Sequence, residues 1–210
     1  MTTHLRRAAA LAAATASLVL LAGCATGPGD APTPTGPADL PADVIAAPGP
    51  VVGQGTVIQT GDTPPQFCLG AVMESYPPQC SGPALVDWDW DAVDGEESSG
   101  DVTFGAFAVW GGWDGVELTV TEAITLALYD PMPVVDPLLD PENAGDATEG
   151  DLTRIQDELT ASAPFEILMM WQENGYLFVQ VVYDDGSIQA RADETYLPDT
   201  VAIRGALRDA

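Results

Sequence analysis

The side chains in this chain that could do chemistry are almost all carboxylates. Asp and Glu total 32, against six basic residues that are all Arg, for a formal charge of −26. The single histidine is His4. With no Lys, Schiff bases, Ser–Lys dyads and a P-loop lysine are excluded. With His4 as the sole imidazole, the sequence has no means of building a Ser–His–Asp triad or a His-ligated zinc site in the body of the chain. So acidic a surface repels phosphate backbones, so no nucleic-acid partner is expected.

Four constellations remain. Paired carboxylates could serve as general acid and base, as in glycosidases. Among so many acids, however, pairs arise by composition alone, and no Asp-Thr-Gly occurs. The second is an acidic loop in which Asp140, Glu142, Asp146 and Asp151 have the spacing of an EF-hand start. Calcium would be its cofactor. Ala144 at the fifth position and the short Asp151 at the twelfth favour a solvated acidic loop instead. The third is aromatic: Trp88, Trp90 and Trp110 are expected to fill a β-core, and Trp113, in a turn, to be exposed as a plate for a glycan or peptide. The fourth is basic: Arg191, Arg204 and Arg208 alternate onto one face of a predicted final hairpin. They would suit a carboxylate or phosphate there, or pair with Asp184, Asp193 or Glu194.

These residues must be positioned by a chain with several compositional regimes. Arg6 and Arg7 precede an apolar run, Ala8 to Leu20, broken only by Thr15 and Ser17. Its length of about 13 residues suits a signal-peptide core rather than a bilayer span. Leu21-Ala22-Gly23-Cys24 follows and resembles the lipobox of bacterial lipoproteins. The resemblance implies that Cys24 carries a diacylglycerol thioether and becomes the first mature residue, anchored at the extracytoplasmic face of the cell membrane. Removal of residues 1–23 takes away two Arg and no acid, moving the formal charge from −26 to −28. Residues 24–51 are then a tether: between 25 and 50 lie seven Pro and four Gly, with no aromatic residue. Such a segment cannot bury enough surface to fold.

Residues 52–128 read as a β-domain. Short runs at 55–59, 66–70, 84–91, 101–110 and 116–120 are separated by turn chemistry, including Trp113-Asp114-Gly115. Five strands and no helix suggest a small barrel or sandwich, of OB type on strand count. In exported surroundings, Cys68 and Cys80 are most simply one disulfide. Residues 129–150 are an acidic linker loop. Residues 151–210 read as an α+β unit. Asp151 would cap a helix with the stripe Leu152, Ile155 and Leu159, and a four-stranded antiparallel meander would follow, turned at Asn174-Gly175 and Asp184-Asp185-Gly186.

The run CLG…SYPPQCSGP…WDW, the WDG hairpin and the acidic VVYDDG…QARADETY ending are similar to those of a group of uncharacterised exported lipoproteins of high-GC bacteria. That resemblance implies no activity. Together these readings lead to a membrane-anchored binding or interaction module without enzymatic chemistry. Its partners would be membrane lipid through Cys24 and a protein or glycan ligand. The competing expectation is a calcium-dependent or carboxylate-based wall or glycan enzyme.

Overall fold

The computed structural model describes residues 45–210 apart from Met132, Val134 and Pro164, so Cys24 and most of the tether lie outside the described residues. What it describes is mainly β, with two sheets and two α-helices.

The first sheet is built on β1 (Pro50–Thr60) and β5 (Val102–Trp113), paired antiparallel from Pro50↔Gly112 to Thr60↔Val102. Alternation along β1 sends Val51 and Val57 inward, where both are fully buried. On its other side β1 pairs with β2 (Gln66–Cys68), which meets β3 (Ala84–Val86). β3 lies parallel to β6 (Glu117–Thr125), and β6 pairs antiparallel with β5. Following the pairings β1–β2–β3–β6–β5 therefore leads back to β1. β4 (Glu97–Ser99) adds to β5, and β10 (Arg208–Asp209) adds to β1 beside β2.

The ladder between β5 and β6 shifts register at Trp110/Gly111. Gly111 is required there, because a Cβ would run into the Thr119 carbonyl across the ladder. The predicted hairpin turn follows: Gly115 has φ +98°, and Asp114 Oδ1 accepts the Val116 and Glu117 N–H groups at 2.8 Å each. Cys68 and Cys80 are joined in a disulfide, with Cα atoms 5.9 Å apart.

The run Ala84–Asp91 differs from the expected strand. It is extended only to Val86, because Asp87 takes φ +61° and breaks the alternation. Asp89 then accepts the Asp91 N–H and opens a short 3₁₀ turn over Trp90–Ala92. Trp88 and Trp90 still reach the core, packing edge-on to Phe107 at 5.1 and 6.1 Å between ring centroids. Trp110 is half-buried against Tyr129 instead, at 5.4 Å.

The second sheet has the order β7 (Met169–Glu173), β8 (Tyr176–Val181), β9 (Val201–Gly205). Helix α1 (Glu149–Ser162) packs on it through Leu152, Ile155 and Leu159, the stripe the sequence predicts. Its N-cap is Thr148 rather than Asp151: Thr148 Oγ1 accepts the Asp151 N–H and donates to Asp151 Oδ2 at 2.6 Å. That reciprocal pair satisfies an orphan donor of the first turn.

The four-stranded antiparallel meander is corrected by the structure. Residues 187–196 form helix α2 (Ser187–Tyr196), and β9 returns parallel to β8. The cause lies in Asp184-Asp185-Gly186, which opens a helix instead of closing a hairpin. Asp184 Oδ1 accepts the Gly186 and Ile188 N–H groups, and Asp185 Oδ1 accepts that of Ser187. Ile188, Ala192 and Tyr196, four apart, then face the core. The hydroxyl of Tyr196 is buried without a partner among the described residues, and burial pushes this phenol up to about 12.

On α2, Gln189 fits against the side of β9 that β8 leaves unpaired. Its Nε2 donates to Val201 O at 2.9 Å and its Oε1 accepts from Ile203 N at 2.8 Å. One carboxamide thus imitates the peptide of a neighbouring strand and blocks an open edge.

Candidate functional site

A cleft of about 450 Å³ draws on both sheets. The β5–β6 turn supplies Trp113 and Val116, and the chain after α1 supplies Phe165 and Glu166. The end of β8 brings Val181 and Tyr183, and the segment after the disulfide brings Ser81–Pro83. The walls are aromatic and aliphatic, with Glu166 the one carboxylate. Such a concave site, in which aromatic and aliphatic side chains sit beside a few polar groups, suits ligand binding. Tyr183 is fixed by donating its hydroxyl to Asp209 Oδ1 at 3.2 Å, and burial raises the pKa of its phenol. Val116 stands exposed at the rim.

Trp113 is placed in this wall, but not as the exposed plate the sequence suggests. It is 7 % exposed, because its indole N–H donates to Ile45 O at 2.8 Å while its carbonyl accepts from Ala47 N at 3.0 Å. It therefore clamps the chain just before β1. Phe165, Glu166, Tyr183 and Val116 were not singled out from sequence. Only Tyr183 had a readable signal, two positions beyond inward-facing Val181.

The three arginines are not gathered on one hairpin face, because Arg191 belongs to α2. It pairs with Glu194 at 2.9 Å, one of the acids expected for it. Arg204 forks onto Asp136, Nε to Oδ2 at 2.6 Å and Nη2 to Oδ1 at 3.0 Å, and lies 5.4 Å from the Phe178 ring centroid. Arg208, on β10, is exposed.

The Arg204 hydrogen bond holds the Asp136 carboxyl below its ordinary range, and the Leu138 N–H adds to this against a desolvation penalty. A carboxyl depressed on folding contributes stability that is present above its unfolded pKa and lost as pH falls through its folded pKa. Asp136→Asn is therefore expected to melt below the parent at neutral pH. The gap should close on acidification, as followed by circular dichroism melts across pH. A gap that does not change with pH would remove the ion pair as its cause.

The acidic residues proposed for calcium do not converge. Asp140 Oδ1 accepts the Glu142 N–H at 2.9 Å and caps a 3₁₀ turn. Asp151 is engaged by Thr148, whose hydroxyl lowers its pKa. Asp146 and Glu142 are exposed. Among the described residues no group of three or more acidic, His or Cys side chains could hold a metal ion. The loop is organised by hydrogen bonds instead. Asn174 Nδ2 donates to Leu138 O and Asp140 O at 2.7 and 2.8 Å, Tyr176 OH donates to Asn143 O at 2.9 Å, and Gly145 N donates to Asn174 O at 2.9 Å.

No protein-family model, curated protein or solved structure matches this chain.

Proposed function

We propose that this chain is a lipid-anchored exported protein whose folded part is a binding module rather than an enzyme. Cys24, in Leu-Ala-Gly-Cys after an apolar run, is the anchoring residue. Two acyl chains on one diacylglycerol suffice for stable attachment. The β1–β2–β3–β6–β5 pairings, with β3 parallel to β6, support reading the first sheet as a small barrel of OB type. Such folds serve as ligand-binding scaffolds, and this chain's charge directs the ligand away from nucleic acid.

The observation that carries the reading is the cleft itself. Trp113, Phe165 and Tyr183 line it, and Glu166 has no second carboxylate among the lining residues. Two-carboxylate hydrolysis needs a pair about 5–9.5 Å apart. Apolar contact with a neutral glycan or peptide needs only the half-buried Phe165 and the exposed Val116 at the rim.

One experiment with two arms tests this. Cys24→Ser should move the protein out of the membrane fraction of the producing cell, and unchanged fractionation contradicts the anchor. On arrays of glycans and of C-terminally amidated peptides the full chain should bind a defined subset, and Val116→Asp at the exposed rim should abolish that binding without changing the melt. Absence of any ligand, or binding that Val116→Asp leaves intact, sinks the cleft.

A further inference from the structure

A second cavity, of about 620 Å³, opens where the chain passes from β9 to β10. Gln54, Gln180, Arg204 and Arg208 line it. Three of the four arginines among the described residues are neutralised: Arg154 by Glu158 at 2.7 Å, Arg191 by Glu194, and Arg204 by Asp136. Among the described residues Arg208 makes no ion pair and no side-chain hydrogen bond. In a chain carrying 32 acids, an arginine that meets no carboxylate is the exception.

The fold places other donors beside it. Arg208 stands opposite Val52 in the β1–β10 ladder, and Gln54 lies two residues further along β1, on the same face. In the second sheet Gln180 is the register partner of Arg204, so these two also share a face. The crossing segment is held to the end of β8 by Ala206 N to Val181 O at 2.9 Å and Leu207 N to Val182 O at 2.8 Å, and both faces line one cavity. Neither Gln54 nor Gln180 makes a side-chain hydrogen bond among the described residues. Gln180 lines the cavity, and its carboxamide Oε1 is buried with no hydrogen-bond partner among the described residues. The one acid in the lining, Asp136, is engaged by Arg204.

We propose that Arg208, Gln54 and Gln180 form a carboxylate-binding site for the C-terminus of a peptide. One unpaired guanidinium with two neutral amides matches a single-charged, planar oxyanion, which the guanidinium fork can grip at both oxygens. The field of a chain at −26 repels free small anions. It tolerates a carboxylate carried on a molecule that is neutral or cationic overall, and a peptide with a free amino terminus or a lysine is such a molecule. This site is separate from the aromatic cleft and does not rest on it.

The test uses the full chain and the tripeptide lysyl-alanyl-alanine, followed by calorimetry or NMR titration. The free-carboxylate peptide should bind, and its C-terminal amide should bind at least about tenfold more weakly, as loss of a charge-assisted pair requires. Arg208→Gln should weaken the free peptide by a similar factor with an unchanged melt. If that variant is destabilised, Gln54→Leu, at an exposed position, carries the same comparison. Val116→Asp should leave peptide binding intact. Equal affinity for peptide and amide, no peptide binding, acetate binding as tightly as the peptide, or loss through Val116→Asp but not Arg208→Gln would each overturn the proposal.

Discussion

Phe107→Ala is expected to cost about 3–5 kcal/mol, the range for deleting a fully buried aromatic ring. That is a large share of the roughly 5–15 kcal/mol that holds a typical domain folded. Phe107 is 0 % exposed and lies in β5 opposite Gly55 of β1. Its ring meets Trp88 and Trp90, which themselves touch edge-on at 5.2 Å. The surroundings have little freedom to collapse into the vacated space. Trp90 is fixed by its indole N–H donating to Gln59 Oε1 at 2.6 Å, and β5 is held along its length by β1. Urea unfolding should show a lower midpoint at an unchanged slope, whereas an unfolding free energy within about 1 kcal/mol of the parent would mean that the tryptophans repack.

Gly175→Ala is the second large effect, and it should be regional. Gly175 has φ +81°, following Asn174 at φ +49°, in the β7–β8 turn. A side chain in this left-handed region costs about 1–2 kcal/mol by itself. The added Cβ would also run into the Gly145 carbonyl, where the acidic loop lies against the turn. The loop must move away, loosening the Gly145, Asn174 and Tyr176 hydrogen bonds together. Hydrogen exchange should accelerate over 137–147 while the centre of β8 stays protected, and unchanged exchange in that loop would show that it is held from elsewhere.

How far these features were legible in the sequence depended on the range of the interaction. Asn174-Gly175 and Trp113-Asp114-Gly115 announced their turns because local backbone conformation alone demands them. The α1 stripe was legible because Leu152, Ile155 and Leu159 meet within one helix. Asp184-Asp185-Gly186 was ambiguous, since Asp before Gly serves a hairpin turn and a helix entry equally well. The choice was made by Ile188, Ala192 and Tyr196 packing against a sheet that did not exist at the level of local pattern. Trp113 was misplaced for the same reason: the carbonyl that holds its indole belongs to Ile45, 68 residues away. Asp136 and Arg204 are equally far apart. Cys68 and Cys80 could be paired from sequence because they are the two thiols left after Cys24, in a setting read as exported.

The clamp on Trp113 has a mechanical consequence. Any pull on the N-terminal segment arrives at Ile45 and Ala47 and meets the two Trp113 hydrogen bonds first. Behind them β1 runs directly into its ladder with β5, and at the same end Ala210 N bonds Pro50 O while β10 pairs with Val51 and Val52. Tension along the axis of β1 therefore loads many backbone bonds at once, in shear, instead of opening them one after another.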